Sequence, residues 1–235
     1  MNMSKGRVYG VGVGPGDPEL MTVKALRILR EVDVIAVPGR KPEESAAYRI
    51  AVQMVPEITG KEIVAVSMPM VKDREVLRAG HRAAAEKIKK YLSEGRDTAF
   101  ITLGDPSIYS TFTYLGPYLR AEGYDTEIIS GVPSFCAAAA RLHLPLAEWD
   151  EPLYILPAVH QAGQPLPGNG TSVFMKAAGS MHDLKDMLKK EHRIAAAVEN
   201  CGLSGEKVYG CVDEIPDDAG YFTLVIAPPE ERSMS

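Results

Sequence analysis

Phe100-Ile101-Thr102-Leu103-Gly104-Asp105-Pro106-Ser107-Ile108-Tyr109-Ser110-Thr111 changes character halfway along. An apolar, β-prone run stops at Gly-Asp-Pro, a polar loop follows, and a helical pattern then begins. In an open α/β sheet, the loop at the carboxyl end of a strand is where ligands sit. Asp-Pro after a strand is good turn chemistry in its own right. Ser107, Tyr109, Ser110 and Thr111 supply more hydrogen-bonding groups than a turn needs. Asp105 at such a strand end is placed to accept a hydrogen bond, face a cation or take a proton. Asp105 is therefore the candidate functional residue of this loop.

A second turn of this kind follows the first apolar run: Gly10-Val11-Gly12-Val13-Gly14-Pro15-Gly16-Asp17-Pro18. It approaches a dinucleotide fingerprint without meeting it. Counting from Gly10, the third glycine position holds Pro15; counting from Gly12, it holds Asp17. There is no Gly-Lys-Ser/Thr either, so phosphate clamping is disfavoured. Two readings remain, a tight strand-to-helix turn and a backbone kept bare so that a ligand can approach.

Outward from these turns the chain alternates strands and helices. Strands are predicted at Val8–Val13, Asp33–Val37, Ile63–Val66, Thr98–Leu103 and Thr126–Ile129. Helices are predicted at Val23–Glu31 with Thr22 as N-cap, Ala46–Val55, Glu75–Leu92 and Thr113–Ala121. Leu77, Ala84, Ile88 and Tyr91 form the apolar stripe of the long third helix, and its basic residues are read as a solvated face whose amino end borders an anionic ligand. The rhythm predicts a parallel sheet with right-handed crossovers. After Gly131-Val132-Pro133 come a short Ala-rich helix, Ser134–Leu142, and a Pro-punctuated passage. Further strands are predicted at Ser172–Lys176, Ile194–Val198, Lys207–Gly210 and Phe222–Ile226, with a helix at Met181–Lys190. Close strands near the end predict a mixed sheet. The expected architecture is two α/β domains, 1–131 and 132–235.

The chain has 235 residues, 46% of them hydrophobic, enough for a packed core, and its net charge of −5 argues against a general nucleic-acid binder. Its three cysteines lack any Cys-x-x-Cys spacing and read as small apolar residues in a reducing compartment. Cys136, in an Ala-rich helix, is expected to have a raised pKa. His81, His143, His160, His182 and His192 stand singly, so no protein-held metal site is expected. No serine occupies a nucleophile elbow. The amino terminus lacks an apolar leader and no run is of membrane-spanning length, so a soluble cytoplasmic protein is expected.

Taken together, these segments resemble the tetrapyrrole (corrin/porphyrin) methyltransferases, from Val8 to about Pro228. The markers are Val11-Gly12-Val13-Gly14-Pro15-Gly16-Asp17-Pro18, Leu103-Gly104-Asp105-Pro106, Ser130-Gly131-Val132-Pro133-Ser134, Val173-Phe174-Met175-Lys176 and Val208-Tyr209-Gly210. Met68-Pro69-Met70, the extended loop to Thr111, Gly131–Ala139 and Val198-Glu199-Asn200-Cys201-Gly202 are most similar to members that methylate C20 of precorrin-2 or cobalt-factor II. The resemblance implies S-adenosylmethionine as methyl donor, held in a cleft between two α/β domains, an anionic tetrapyrrole substrate and a homodimer. It implies cofactor contacts from Pro15, Leu103, Gly104, Asp105, Ile108, Pro133, Ser134, Lys176 and Gly210, many through the backbone. Pro133-Ser134 and Lys176 depart from the residues common in the family at those places. Direct methyl transfer needs no protein nucleophile, and Asp105, or after it Tyr109, would be the catalytic residue that takes the proton the meso carbon loses, with water as the alternative acceptor. Arg40, Lys41, Lys72 and Arg74 lie in loops after predicted strands, where they would pair with substrate carboxylates. Methylation of another tetrapyrrole carbon, or of a protein side chain as in diphthine synthesis, stays open, as does a non-catalytic nucleotide-binding module.

Overall fold

A computed structural model describes residues 5–68, 73–158, 166–229 and 232. Pro69, Met70, Lys72 and His160 lie outside the described residues. The chain separates into two compact units, Met1–Pro133 and Ser134–Ser235.

The first unit is built on five parallel strands: β1 (Val8–Gly12), β2 (Val34–Pro38), β3 (Glu62–Val66), β4 (Thr98–Thr102) and β5 (Thr126–Ile129), in the spatial order β3-β2-β4-β1-β5. β1 lies between β4 and β5, with Val8 opposite Thr98 on one side and Thr126 on the other. The central strands are buried along their length, as a sheet covered on both faces requires. The helices are α1 (Val23–Glu31), α2 (Ala46–Met54), α3 (Arg74–Ser93) and α4 (Phe112–Ala121). The predicted N-cap of α1 is present, with Thr22 Oγ1 accepting from Ala25 N at 3.2 Å. The stripe of α3 departs from expectation. Its buried members are Ala84, Ala85, Ile88 and Leu92, while Leu77 and Tyr91 are half-buried. Tyr91 is turned aside so that its hydroxyl reaches Glu62 at 3.2 Å.

The second unit opens with α5 (Ser134–Leu142). Its mixed sheet comprises β6 (Leu153–Pro157), β7 (Thr171–Met175), β8 (Ala196–Glu199), β9 (Lys207–Tyr209) and β10 (Thr223–Ala227), in the order β6-β7-β10-β8-β9. β10 is antiparallel to both β7 and β8, so these two run in the same direction. β6 is an addition to the expected strands. Pro157 closes it, and it pairs only with β7 at the sheet's edge, where a missing N–H is tolerated. Helix α6 (Met181–Lys190) packs Met181, Leu184 and Leu188 into a core with Phe174, Ala197 and Val225. No helix among the described residues is long and apolar enough to cross a membrane.

Candidate active site

Three neighbouring strands, β4, β1 and β5, end side by side, and their exit loops touch. Beyond β1, Val13 N donates to Thr102 O at 3.0 Å, and Gly104 N donates to Gly14 O at 2.7 Å. Gly14 and Gly104 have φ of 78° and 70°, the left-handed region that glycine enters without a Cβ penalty. A Cβ on Gly12 would lie 2.5 Å from Gly104 O, and one on Gly131 only 2.2 Å from the same oxygen. Gly12 and Gly131 are therefore needed for three backbones to meet.

Asp105 locks this junction. Its Oδ2 accepts from Gly131 N at 2.9 Å, and its Oδ1 accepts from Ser107 N at 2.7 Å and from the Ser107 hydroxyl. The residue is 7% exposed, so this carboxylate is desolvated and compensated by donors from two loops. α1 is tied to the same place, for Thr22 Oγ1 also donates to Ser130 O at 3.2 Å.

The polar loop after Gly104 thus divides its work. Ser107 serves Asp105. Ser110 Oγ donates to Thr102 Oγ1 and accepts from Phe112 N, each at 3.2 Å, which anchors the start of α4. Tyr109 keeps a largely exposed ring and sits at φ 48°, a left-handed conformation uncommon for an aromatic residue. The structure therefore brings Pro15, Leu103, Gly104, Asp105, Ile108, Tyr109 and Pro133 to the carboxyl edge of one sheet.

In the second unit the expected contacts are spread. Ser134 begins α5. Lys176 follows β7 at φ 57°, and Asn200 follows β8 at φ 55°, at one edge of the mixed sheet. Gly210 follows β9, which runs the other way, and so leaves at the opposite edge. Its N–H donates to Glu214 Oε2 at 2.7 Å. Of the expected carboxylate-pairing cations, Lys41 is engaged with Glu44 at 3.0 Å. Arg40 and Arg74 are exposed.

A polar group that residue patterns do not single out as a site lies nearby. Glu199, 9% exposed, accepts from Tyr209 OH at 2.8 Å and from Gly220 N at 3.0 Å, with Lys207 Nζ at 3.6 Å. Burial alone would raise the Glu199 pKa, but these donors together hold it below the usual carboxylate value. Burial and the adjacent carboxylate push Tyr209 up to about 12. The sequence signal was the Val198-Glu199-Asn200-Cys201-Gly202 segment, read only as a family marker. Cys136 has its thiol pKa raised by burial, as expected.

The tetrapyrrole (corrin/porphyrin) methylase family description matches residues 7–216. A protein described as "Probable cobalt-precorrin-2 C(20)-methyltransferase" from Methanocaldococcus jannaschii is 39% identical over 230 residues, covering 96% of this chain and 97% of that protein. The cobalt-precorrin-2 C(20)-methyltransferase of Salmonella typhimurium is 31% identical, with 94% and 95% covered. Among solved structures, uroporphyrin-III-C-methyltransferase from Thermus thermophilus superposes with a TM-score of 0.69 at 25% identity, covering 95% of this chain and 92% of that one. A cobalt precorrin-4 methyltransferase shares the fold, with a TM-score of 0.72 at 20% identity and 94% of each chain covered. The chain belongs to the tetrapyrrole (corrin/porphyrin) methylases.

Proposed function

We propose that this protein transfers a methyl group from S-adenosylmethionine to the C20 meso carbon of precorrin-2 or its cobalt-bearing form, in cobalamin biosynthesis. The observation that carries the reading is full-length similarity, at 39% identity, to a relative described by that activity. When bound, S-adenosylmethionine supplies an electrophilic methyl group on a sulfonium.

The chain's own residues fit such a ligand. The close packing of Gly12, Gly104 and Gly131, with Asp105 bonded to Gly131 N, fixes the backbone of the strand exits on which a ligand would rest. Pro15, Leu103, Gly104, Asp105 and Ile108 would hold the donor there, with Pro133, Ser134, Lys176 and Gly210 as further contacts. Holding two reactants in line can remove several kcal/mol of barrier, up to about 11 at best. The residues present suit that work better than covalent catalysis. Asp105, with three donors on its carboxylate, positions the loop, and Tyr109, at its exposed rim, faces the ring and the departing meso proton. In this reading the enzyme is a cytoplasmic homodimer, which sedimentation of the purified protein checks.

The test supplies metal-free and cobalt-bearing precursors with methyl-labelled S-adenosylmethionine. Label at C20 is the expected result, and the preferred precursor defines the substrate. Label at another carbon, or on a protein acceptor only, overturns the reading.

A further inference from the structure

Helix α3 has twenty residues, about 30 Å of rise, whereas β3 before it has five residues, about 17 Å. The helix follows the carboxyl end of β3, and its buried residues begin only at Ala84. Its first turns therefore stand beyond the carboxyl edge of the sheet, the edge that carries the Gly104 loop.

The buried stripe of α3 runs through Ala85, Ile88 and Leu92 at helical spacing. With Ala84 included, the same face continued toward the amino end passes through His81, the half-buried Leu77 and Arg74, with the exposed Arg78 at its flank. Where the helix overhangs, the face that is buried farther along thus carries an imidazole and a guanidinium, with a second guanidinium beside them. His81 is half-buried and stacks on Tyr114, the third residue of α4, with ring centroids 4.5 Å apart and planes 12° from parallel. Burial lowers the His81 pKa. Tyr114 itself is 60% exposed, so the stack has an open face beside the helix that leads out of the Tyr109 loop.

Among the described residues, Arg74 and Arg78 have no carboxylate within ion-pair distance, as is true also of Arg40, Arg49, Arg82 and Arg120, whereas six arginines do. The nearest acid in sequence, Asp73, is occupied as the α3 cap, accepting from Glu75 N at 2.8 Å and Val76 N at 3.2 Å. Glu75 is set about 100° around the helix from Arg74, off the stripe. In a chain of net charge −5, two cations without partners beside an open aromatic stack complement one kind of ligand, a flat ring with carboxylates on its rim.

We propose that Arg74, Arg78 and the His81–Tyr114 stack form the wall that receives the carboxylate-bearing rim of the tetrapyrrole. The guanidiniums pair with the acidic side chains of the ring, and the aromatic stack supports its edge. The assignment rests on the tetrapyrrole methylation proposed above, and adds Arg78, His81 and Tyr114 as specificity-determining residues.

The test compares Arg78→Glu, Arg78→Lys, Arg74→Ala/Arg78→Ala and Tyr114→Ala with the parent. Arg27→Ala, in an exposed α1 pair with Glu31, is the control. Two readouts are used: KM for each substrate, and fluorescence titration with uroporphyrin III as a stable octacarboxylic probe. Arg78→Glu is expected to raise the tetrapyrrole KM and the probe Kd about tenfold or more, which is what losing one charge-assisted contact implies. Arg78→Lys should retain most of the affinity, and the KM for S-adenosylmethionine and the melting temperature should not move. Added salt should weaken probe binding by the parent more than by the double variant. Equal probe affinity in the parent and the Arg74/Arg78 double variant overturns the wall. A parent that methylates no tetrapyrrole overturns the functional reading instead, and the probe titration still decides the wall.

Discussion

Among the described residues each sheet has one buried carboxylate, and the two are used differently. In the parallel sheet Asp105 joins loops at strand ends, taking N–H groups from Ser107 and Gly131, residues of two different exits. In the mixed sheet Glu199 ends β8 and takes its donors from Tyr209 on β9 and from Gly220, just before β10. The first bond network fixes the junction of strand exits to which ligand binding is assigned in the proposed function. The second fastens an edge strand to its sheet. Breaking the first should remove binding along with stability; breaking the second should cost stability alone.

The largest effect is expected from Gly131→Ala. Its Cβ would press on backbone at 2.2 Å, with no flexible side chain to give way. A loss of about 3 kcal/mol or more should appear in urea unfolding, with binding of S-adenosylhomocysteine abolished. A variant of unchanged midpoint would show that the three exits do not touch.

Asp105→Asn comes next. Its amide must turn N–H groups toward either Gly131 N or the Ser107 donors, so about 1–3 kcal/mol should be lost. Calorimetry should find weaker binding of S-adenosylhomocysteine. Undiminished binding and turnover would remove Asp105 from the site.

Tyr209→Phe deletes a donor to a buried carboxylate and should cost about 1–2 kcal/mol, with turnover per folded molecule retained. A large loss of turnover would erase the contrast between the sheets.

The pH dependence sharpens it further. Glu199 titrates below its ordinary value of 4.5 when folded, so its contribution is present above that pH and is lost as the solution becomes more acid. Glu206 behaves likewise, because Gly202 N–H and Arg141 favour its ionised form. Tyr209, at about 12, stabilises the fold up to the ordinary tyrosine value of 10.0, and that contribution is lost between the two. Unfolding monitored against pH should show both limbs in the parent, and Tyr209→Phe should flatten the alkaline one.

The smallest effect belongs to Lys89→Ala. Its bonds to Glu86 and Glu122 are solvent-exposed, and the melting temperature should not change measurably.

Local chemistry was legible in the residues. Thr22 before an apolar stripe caps α1 as expected, and glycine marked both strand-exit turns because Gly14 and Gly104 take a positive φ that few other residues adopt. Contacts between distant segments were not legible. Thr22 also holds Ser130, and Asp105 holds Gly131, and no spacing rule connects either pair. β6 escaped because a run closed by proline reads as a break until its position at a sheet edge is known. The cationic continuation of the α3 stripe was readable as a row of charges. Its direction emerged only once the burial of Ala85 fixed the helix's rotation.

The place of β1 bears on how the protein is made. β1 is synthesised well before both of the strands it pairs with among the described residues, Thr98–Thr102 and Thr126–Ile129. Until those residues are synthesised, an apolar segment with two open sides must wait unpaired, and such long-range pairing is slow to form. The turn at Gly14 likewise lacks its Gly104 partner in any chain that stops before the end of β4. Nascent chains arrested before Thr126 should be protease-sensitive through β1, whereas release of Gly131 should close the sheet and the junction of its strand exits in one step.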